Sequence, residues 1–156
     1  MATSLRLRMP DAAERLRVYV DADVLLASAA SPTAHSAGQV VLSLSEITLI
    51  HAITSALAVE ECERNLVARI PEAIPTFRRL VRRALEVAPP PSQRSIRRQA
   101  GRADWKDVPH LACALDHGCP YLVTYNLSDY EPGHPNVQVV RPGVLVRRVR
   151  GQLARL

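Results

Sequence analysis

Lysine is all but absent from this chain. Lys106 is the only one, and the other 19 of the 20 basic residues are arginine. Against 15 acidic residues they leave a net charge of +5. Arginine forks match phosphate oxygens bidentately, so the balance is compatible with a polyanionic partner without demanding one. Glycine is scarce too, six residues with no pattern, which excludes a glycine-rich phosphate loop. The three cysteines, Cys62, Cys113 and Cys119, cannot all pair; so odd and sparse a set argues for a reducing, cytoplasmic setting. No run approaches the roughly 20 apolar residues of a membrane helix, so no membrane partner is expected. Residues 1–15 carry Arg6, Arg8 and Arg15 but no apolar stretch of the kind a secretory signal needs.

What is present suffices for a folded core. The apolar share is 47% over 156 residues, the size of one domain with a short arm. A chain of this length buries roughly two-thirds of its unfolded surface. Residues 1–15 lack periodicity and read as an arm; 16–156 read as the domain. Residues 16–20 form a β-rich run that Asp21-Ala22-Asp23 ends, and Val24 to Ser28 begin a helix that Ser31-Pro32 breaks. A helix is expected over about 34–46, with Val40, Val41, Leu44 and Ile47 on one side, then a strand over 47–50. Ser55 is a fair N-cap for a helix reaching about Ile70, with Val59, Cys62, Leu66 and Ile70 as its stripe. A further helix follows Pro75, and residues 85–88 make a short third strand.

Pro89-Pro90-Pro91 stops regular structure, and the arginine-rich stretch 92–102 reads as a loop. The clearest helix starts near Asp104 and Asp107, with Val108, Leu111, Ala112 and Leu115 as its stripe and Gly118 at C′. Strands are expected over 121–124 and 137–140, and Arg141-Pro142-Gly143 opens a last helix. Strands alternating with helices imply parallel βα units and an α/β sandwich.

In open α/β sheets, ligands bind at the carboxyl ends of strands. Asp21 and Asp23 lie just past the first strand, Asn126 and Asp129 just past the 121–124 strand, and Asp107 at the start of the helix feeding it. Glu60 and Glu61 lie on the helix after the second strand. Taken singly, each acid has an ordinary explanation: Asp107 as an N-cap, Glu60, Glu61 and Glu63 as a solvated face. Their recurrence at one edge favours a cation site. Clustered carboxylates repel unless a cation is present, and oxygen-only ligands suit Mg²⁺ or Mn²⁺. With an arginine-rich surface, the joint reading is metal-dependent phosphodiester hydrolysis. Other constellations are weaker. His110, Cys113, His117 and Cys119 lack zinc-site spacing. The Arg78, Arg79, Arg82 and Arg83 face either binds phosphates or is merely solvated. Trp105 is expected to pack over its loop, the commoner role, rather than stack on a base.

The motifs carry a family resemblance. Val18-Tyr-Val-Asp21-Ala-Asp23-Val-Leu25 resembles the opening strand of PIN-domain nucleases. The stretch from Ser55 to Leu66, with Glu61 and Asn65, resembles their second acidic motif. Lys106-Asp107-Val-Pro-His-Leu-Ala112-Cys-Ala114 resembles the third, and Thr124-Tyr-Asn126-Leu-Ser-Asp129-Tyr130 the fourth. Val139-Val140-Arg-Pro142-Gly is similar to the closing strand and proline. The likeness runs over about residues 17–150. It implies a three-layer α/β/α sandwich around a parallel sheet of four to five strands. It also implies that Asp21, Glu61, Asp107 and Asp129 surround one or two Mg²⁺ or Mn²⁺ ions. Glu61 is preferred to Glu60 because it stands four residues before Asn65, as in the family pattern. Asn126 occupies a slot that is acidic in some members, which leaves Asp129 to supply the charge. Asp23, Asp104, Thr124 and Asn126 are auxiliary positions.

The implied activity is endoribonucleolytic hydrolysis. Small members resemble the toxin halves of VapC-type toxin–antitoxin pairs, which implies an RNA substrate, a small antitoxin protein and a homodimer. Two rivals stand beside this. A non-catalytic PIN-like module would bind RNA or protein without cutting. A haloacid-dehalogenase-type phosphotransfer enzyme would use Asp21 of Asp21-Ala-Asp23 as nucleophile, but its phosphate lysine has only Lys106 to fill it.

Overall fold

The computed structural model describes residues 15–30 and 36–155. The expected arm lies outside the described residues except for Arg15, as does the helix break at Ser31-Pro32. Five strands form one parallel sheet: β1 (Leu16–Val20), β2 (Ile50–Ser55), β3 (Leu85–Ala88), β4 (Tyr121–Val123) and β5 (Gln138–Val140), in the order β3-β2-β1-β4-β5. Seven helices accompany them among the described residues: α1 (Ala22–Ala30), α2 (Ala37–Glu46), α3 (Ala56–Arg69), α4 (Ile74–Ala84), α5 (Gln93–Arg98), α6 (Val108–Asp116) and α7 (Pro142–Leu153).

Side-chain alternation along the strands sorts these helices into two layers. Val18, Val20, Ile50, Ala52, Val123 and Val140 point to one face. There they meet Leu25 of α1, Val41 and Leu42 of α2, Cys62 and Leu66 of α3, Phe77 of α4 and Leu145 of α7. Tyr19, Ile53 and Leu122 point to the other face, against Val108, Leu111 and Ala114 of α6, with Ile96 of α5 at the margin. The result is the α/β/α sandwich expected from the sequence.

The chain order positions the site. It runs outward from β1 through β2 to β3, then returns to build β4 and β5 on the other side of β1. The direction therefore reverses between β1 and β4, which are hydrogen-bonded from Val18↔Tyr121 to Val20↔Val123. A crevice opens at the carboxyl ends of strands at such a reversal.

Two expectations are corrected. The second strand begins at Ile50, not at 47, because Ile47 to Leu49 turn after α2, with Thr48 at φ 65°. Ile47 is correspondingly 58% exposed. The 92–102 stretch is not all loop. Ser92 caps α5 by accepting from the Ser95 amide at 3.1 Å. Elsewhere local signals hold: Ser55 caps α3 through the Ala58 amide at 3.2 Å, and Gly118 takes the left-handed φ of 63° just past α6.

Candidate active site

β1 delivers Asp21 to the carboxyl end of the sheet where the chain order reverses. Its amide continues the ladder by donating to Val123 O at 3.0 Å, and the residue is 6% exposed. A carboxylate so buried needs donors, and three converge on it. Oδ1 accepts from the Ala22 amide at 2.8 Å. Oδ2 accepts from Thr124 Oγ1 at 3.0 Å and from the Tyr130 hydroxyl at 2.8 Å. Burial and the Asp21 charge both hold the Tyr130 phenol protonated, as a donor must be.

Thr124 is fully buried at the end of β4. Its hydroxyl also lies 3.3 and 3.2 Å from the two carboxylate oxygens of Asp23. A hydroxyl has one proton to give, so two neighbouring carboxylates share it. Asp23 Oδ2 additionally accepts from the Tyr125 amide at 2.9 Å. Burial first and the Asp21 charge second push the Asp23 carboxyl up from its ordinary value.

The second group of acids comes from the turn before α6 and the loop after β4. The Asp104 amide donates to Asp129 O at 2.7 Å, which ties the two segments together. The carboxylates of Asp104, Asp107 and Asp129 then lie with oxygens within 4.8 Å of one another. Asp104 is exposed; Asp107 and Asp129 are half-buried. Asp107 stands at the N-cap position of α6 but makes no side-chain capping bond. The capping explanation therefore does not account for its carboxylate. Burial raises the Asp107 carboxyl to about 7, with the charges of Asp21, Asp129 and Asp104 adding to the rise and Lys106 opposing it. Like-charge crowding is thus real here but second to desolvation.

Glu61 is not part of that cluster. It lies exposed on α3, with Asn65 Nδ2 donating to its carbonyl at 2.9 Å. Glu60 is exposed on the same helix. Glu60, Glu63, Arg64 and Val67 line a hollow of about 470 Å³ on the exposed side of α3. Asn65, one turn from Glu61, lines a separate cleft of about 320 Å³ together with Asp23. Glu61, Asp21 and Asp23 together raise the thiol of Cys62 beyond what burial does. Asn126 is exposed, and its amide donates to Thr124 Oγ1 at 3.1 Å.

The donor set fits a hard divalent cation. It offers oxygen alone, its carboxylates are crowded, and one of them resists ionisation without positive charge nearby. It does not fit a carboxylate nucleophile, because both oxygens of Asp21 are engaged by donors and the residue is almost wholly buried. His110 is buried, its Nδ1 lies 2.6 Å from the Tyr19 hydroxyl, which donates to Ser55 Oγ at 3.1 Å, and among the described residues it joins no group of three potential ligands.

Three features escaped the sequence. The donors to Asp21 sit 103 and 109 positions away, where no local pattern shows them. Tyr130 was visible only as the aromatic after Asp129. Trp105 does not pack over its loop: it is 81% exposed.

No curated protein matches the chain. A family model for the PIN domain matches residues 17–128. The matched stretch spans β1 to β4 and carries Asp21, Glu61, Asp104 and Asp107, with Asp129 one residue beyond it. The chain belongs to the PIN-domain family, whose members are generally nucleases that use divalent metals.

Proposed function

We propose that this chain is a divalent-metal-dependent endoribonuclease. The observation that carries the reading is the crowding of carboxylates at the β1–β4 reversal, where Asp107 is raised to about 7. Asp21, Asp107 and Asp129, joined by Glu61 from α3, would hold Mg²⁺ or Mn²⁺, with Asp104 completing the cluster seen beside Asp107. When bound, the cation supplies positive charge that eases deprotonation of water and offsets charge on the phosphate. Thr124 and Tyr130 fix Asp21, and Thr124 with the Tyr125 amide fixes Asp23. A carboxylate of the cluster takes the proton of the attacking water. The new P–O bond forms in line as the P–O3′ bond breaks, and the departing 3′-oxygen takes a proton from solvent, leaving a 5′-phosphate and a 3′-hydroxyl.

Cleavage of a generic RNA in Mg²⁺, with loss on chelation and in Asp21→Asn, tests this reading. A folded wild-type protein that binds RNA without cutting it would leave only a binding module. A cytoplasmic setting, a homodimer and a small inhibitory antitoxin belong to the same reading; solution mass and growth arrest relieved by a co-expressed neighbouring small protein test the last two. The three free, buried cysteines support a reducing compartment.

A further inference from the structure

Trp105 is the only tryptophan of the chain, and it is left 81% exposed between Asp104 and Lys106. A scattered apolar side chain on a surface needs no explanation. This one differs in where it stands and how it is held. The turn that carries it is closed by Asp107 N to Asp104 O at 2.8 Å and by Val108 N to Asp104 O at 3.0 Å. It is tied to the loop after β4 by Asp104 N to Asp129 O at 2.7 Å. Ala103 and Val108, on either side, are buried. The backbone is thus pinned at both ends while the indole stands in water, on the segment that supplies two of the three clustered carboxylates.

We propose that Trp105 is a stacking platform for an unpaired base of the RNA next to the acid cluster, a positioning residue that favours an unpaired strand over a duplex. The proposal rests on the nuclease reading above. Every base has a π-face, so an indole stacks on it whatever the sequence. Bases inside a duplex are already covered by their neighbours and have no free face to give. The charges around the indole fit the same occupant. Lys106 follows it directly, and α5, which packs against α6, exposes Arg94, Arg97 and Arg98. Trp105 acts here as a positioning residue.

A sole tryptophan reports on itself. Folded Asp21→Asn protein, full chain, is titrated with an unpaired 12-nucleotide RNA and with the same strand in a duplex. Binding is followed by anisotropy and the indole by its emission. The single strand quenches the emission saturably with the anisotropy midpoint, and the duplex does not. Trp105→Ala weakens single-strand binding by about 5- to 100-fold, and Trp105→Phe recovers part of that loss. In the otherwise wild-type enzyme, Trp105→Ala raises KM with kcat little changed. Unchanged emission at saturation, no binding of the single strand, or equal affinity in Trp105→Ala overturns the proposal. So does emission that shifts with protein concentration alone, or with a protein partner but not RNA, because the indole is then covered by protein. The two readings fail separately: quenching without cleavage by the wild type removes the nuclease, and cleavage without quenching removes the platform.

Discussion

Replacing Asp107 with asparagine removes a charge that the folded protein holds at a cost. Asparagine is as good as aspartate at an N-cap position, so the start of α6 is undisturbed. The carboxyl is raised from an ordinary 3.8 to about 7. The folded state therefore binds this proton more tightly than the unfolded state does. Its stabilising contribution is complete below pH 3.8, declines as pH rises towards 7, and is gone above it. A rise of that size would correspond to roughly 4 kcal/mol for a fully desolvated group. Asp107 is half-exposed, and water screening reduces the expectation to about 1–2 kcal/mol. For a domain of this size that is about 3–6 °C in Tm. Asp107→Asn should therefore match the wild type near pH 4 and exceed it at pH 8 in metal-free buffer. The assay is thermal denaturation of both proteins from pH 4 to 8, with and without millimolar Mg²⁺. The cation should raise the wild type at pH 8 and narrow the gap, since it supplies the positive charge the proton supplied at low pH. Cleavage should be lost in the variant at every pH. A variant less stable than the wild type at pH 8, or a gap independent of pH, would show that Asp107 is a structural residue and that the crowding argument is wrong.

Thr124→Val deletes the one proton shared by Asp21 and Asp23. It should cost about 1–3 kcal/mol in denaturant unfolding and reduce cleavage, and an unchanged midpoint would refute the shared-donor account. Phe77 of α4 is 1% exposed, and Phe77→Ala should cost about 3–5 kcal/mol without altering cleavage under stabilising conditions. Replacing Arg94, Arg97 and Arg98 of α5 should lower the salt slope of single-strand binding by about 2, at about 0.7 per phosphate contact. Replacing Arg78 and Arg83 of α4 should matter less, since these lie 3.3 and 3.9 Å from Glu63 and Glu46. The reverse order would move the RNA path to α4.

The elements legible in the sequence are those whose partners are local. β1, β4 and α6 combine an apolar run with a flanking acid, glycine or proline, and each lies within a residue or two of its expected place. β2 was misplaced because His51, Thr54 and Ser55 give it a polar look. Its polar groups are satisfied from elsewhere in the fold, Thr54 Oγ1 by Val20 O at 2.8 Å and Ser55 Oγ by Tyr19. α5 has six residues and one apolar position, Ile96, too little for a period to show. The acids were legible as a set because each follows a strand or opens a helix. Their inequality was not, because it is made by distant donors. Asp21 takes three hydrogen bonds and is fixed before any ligand arrives. Asp107 has no capping bond and three negative neighbours, so its charge is the one left unbalanced. Chain order places both at the same sheet edge; only the packing of β4 and its following loop decides that one carboxylate is held by three donors and the other is left crowded by like charge.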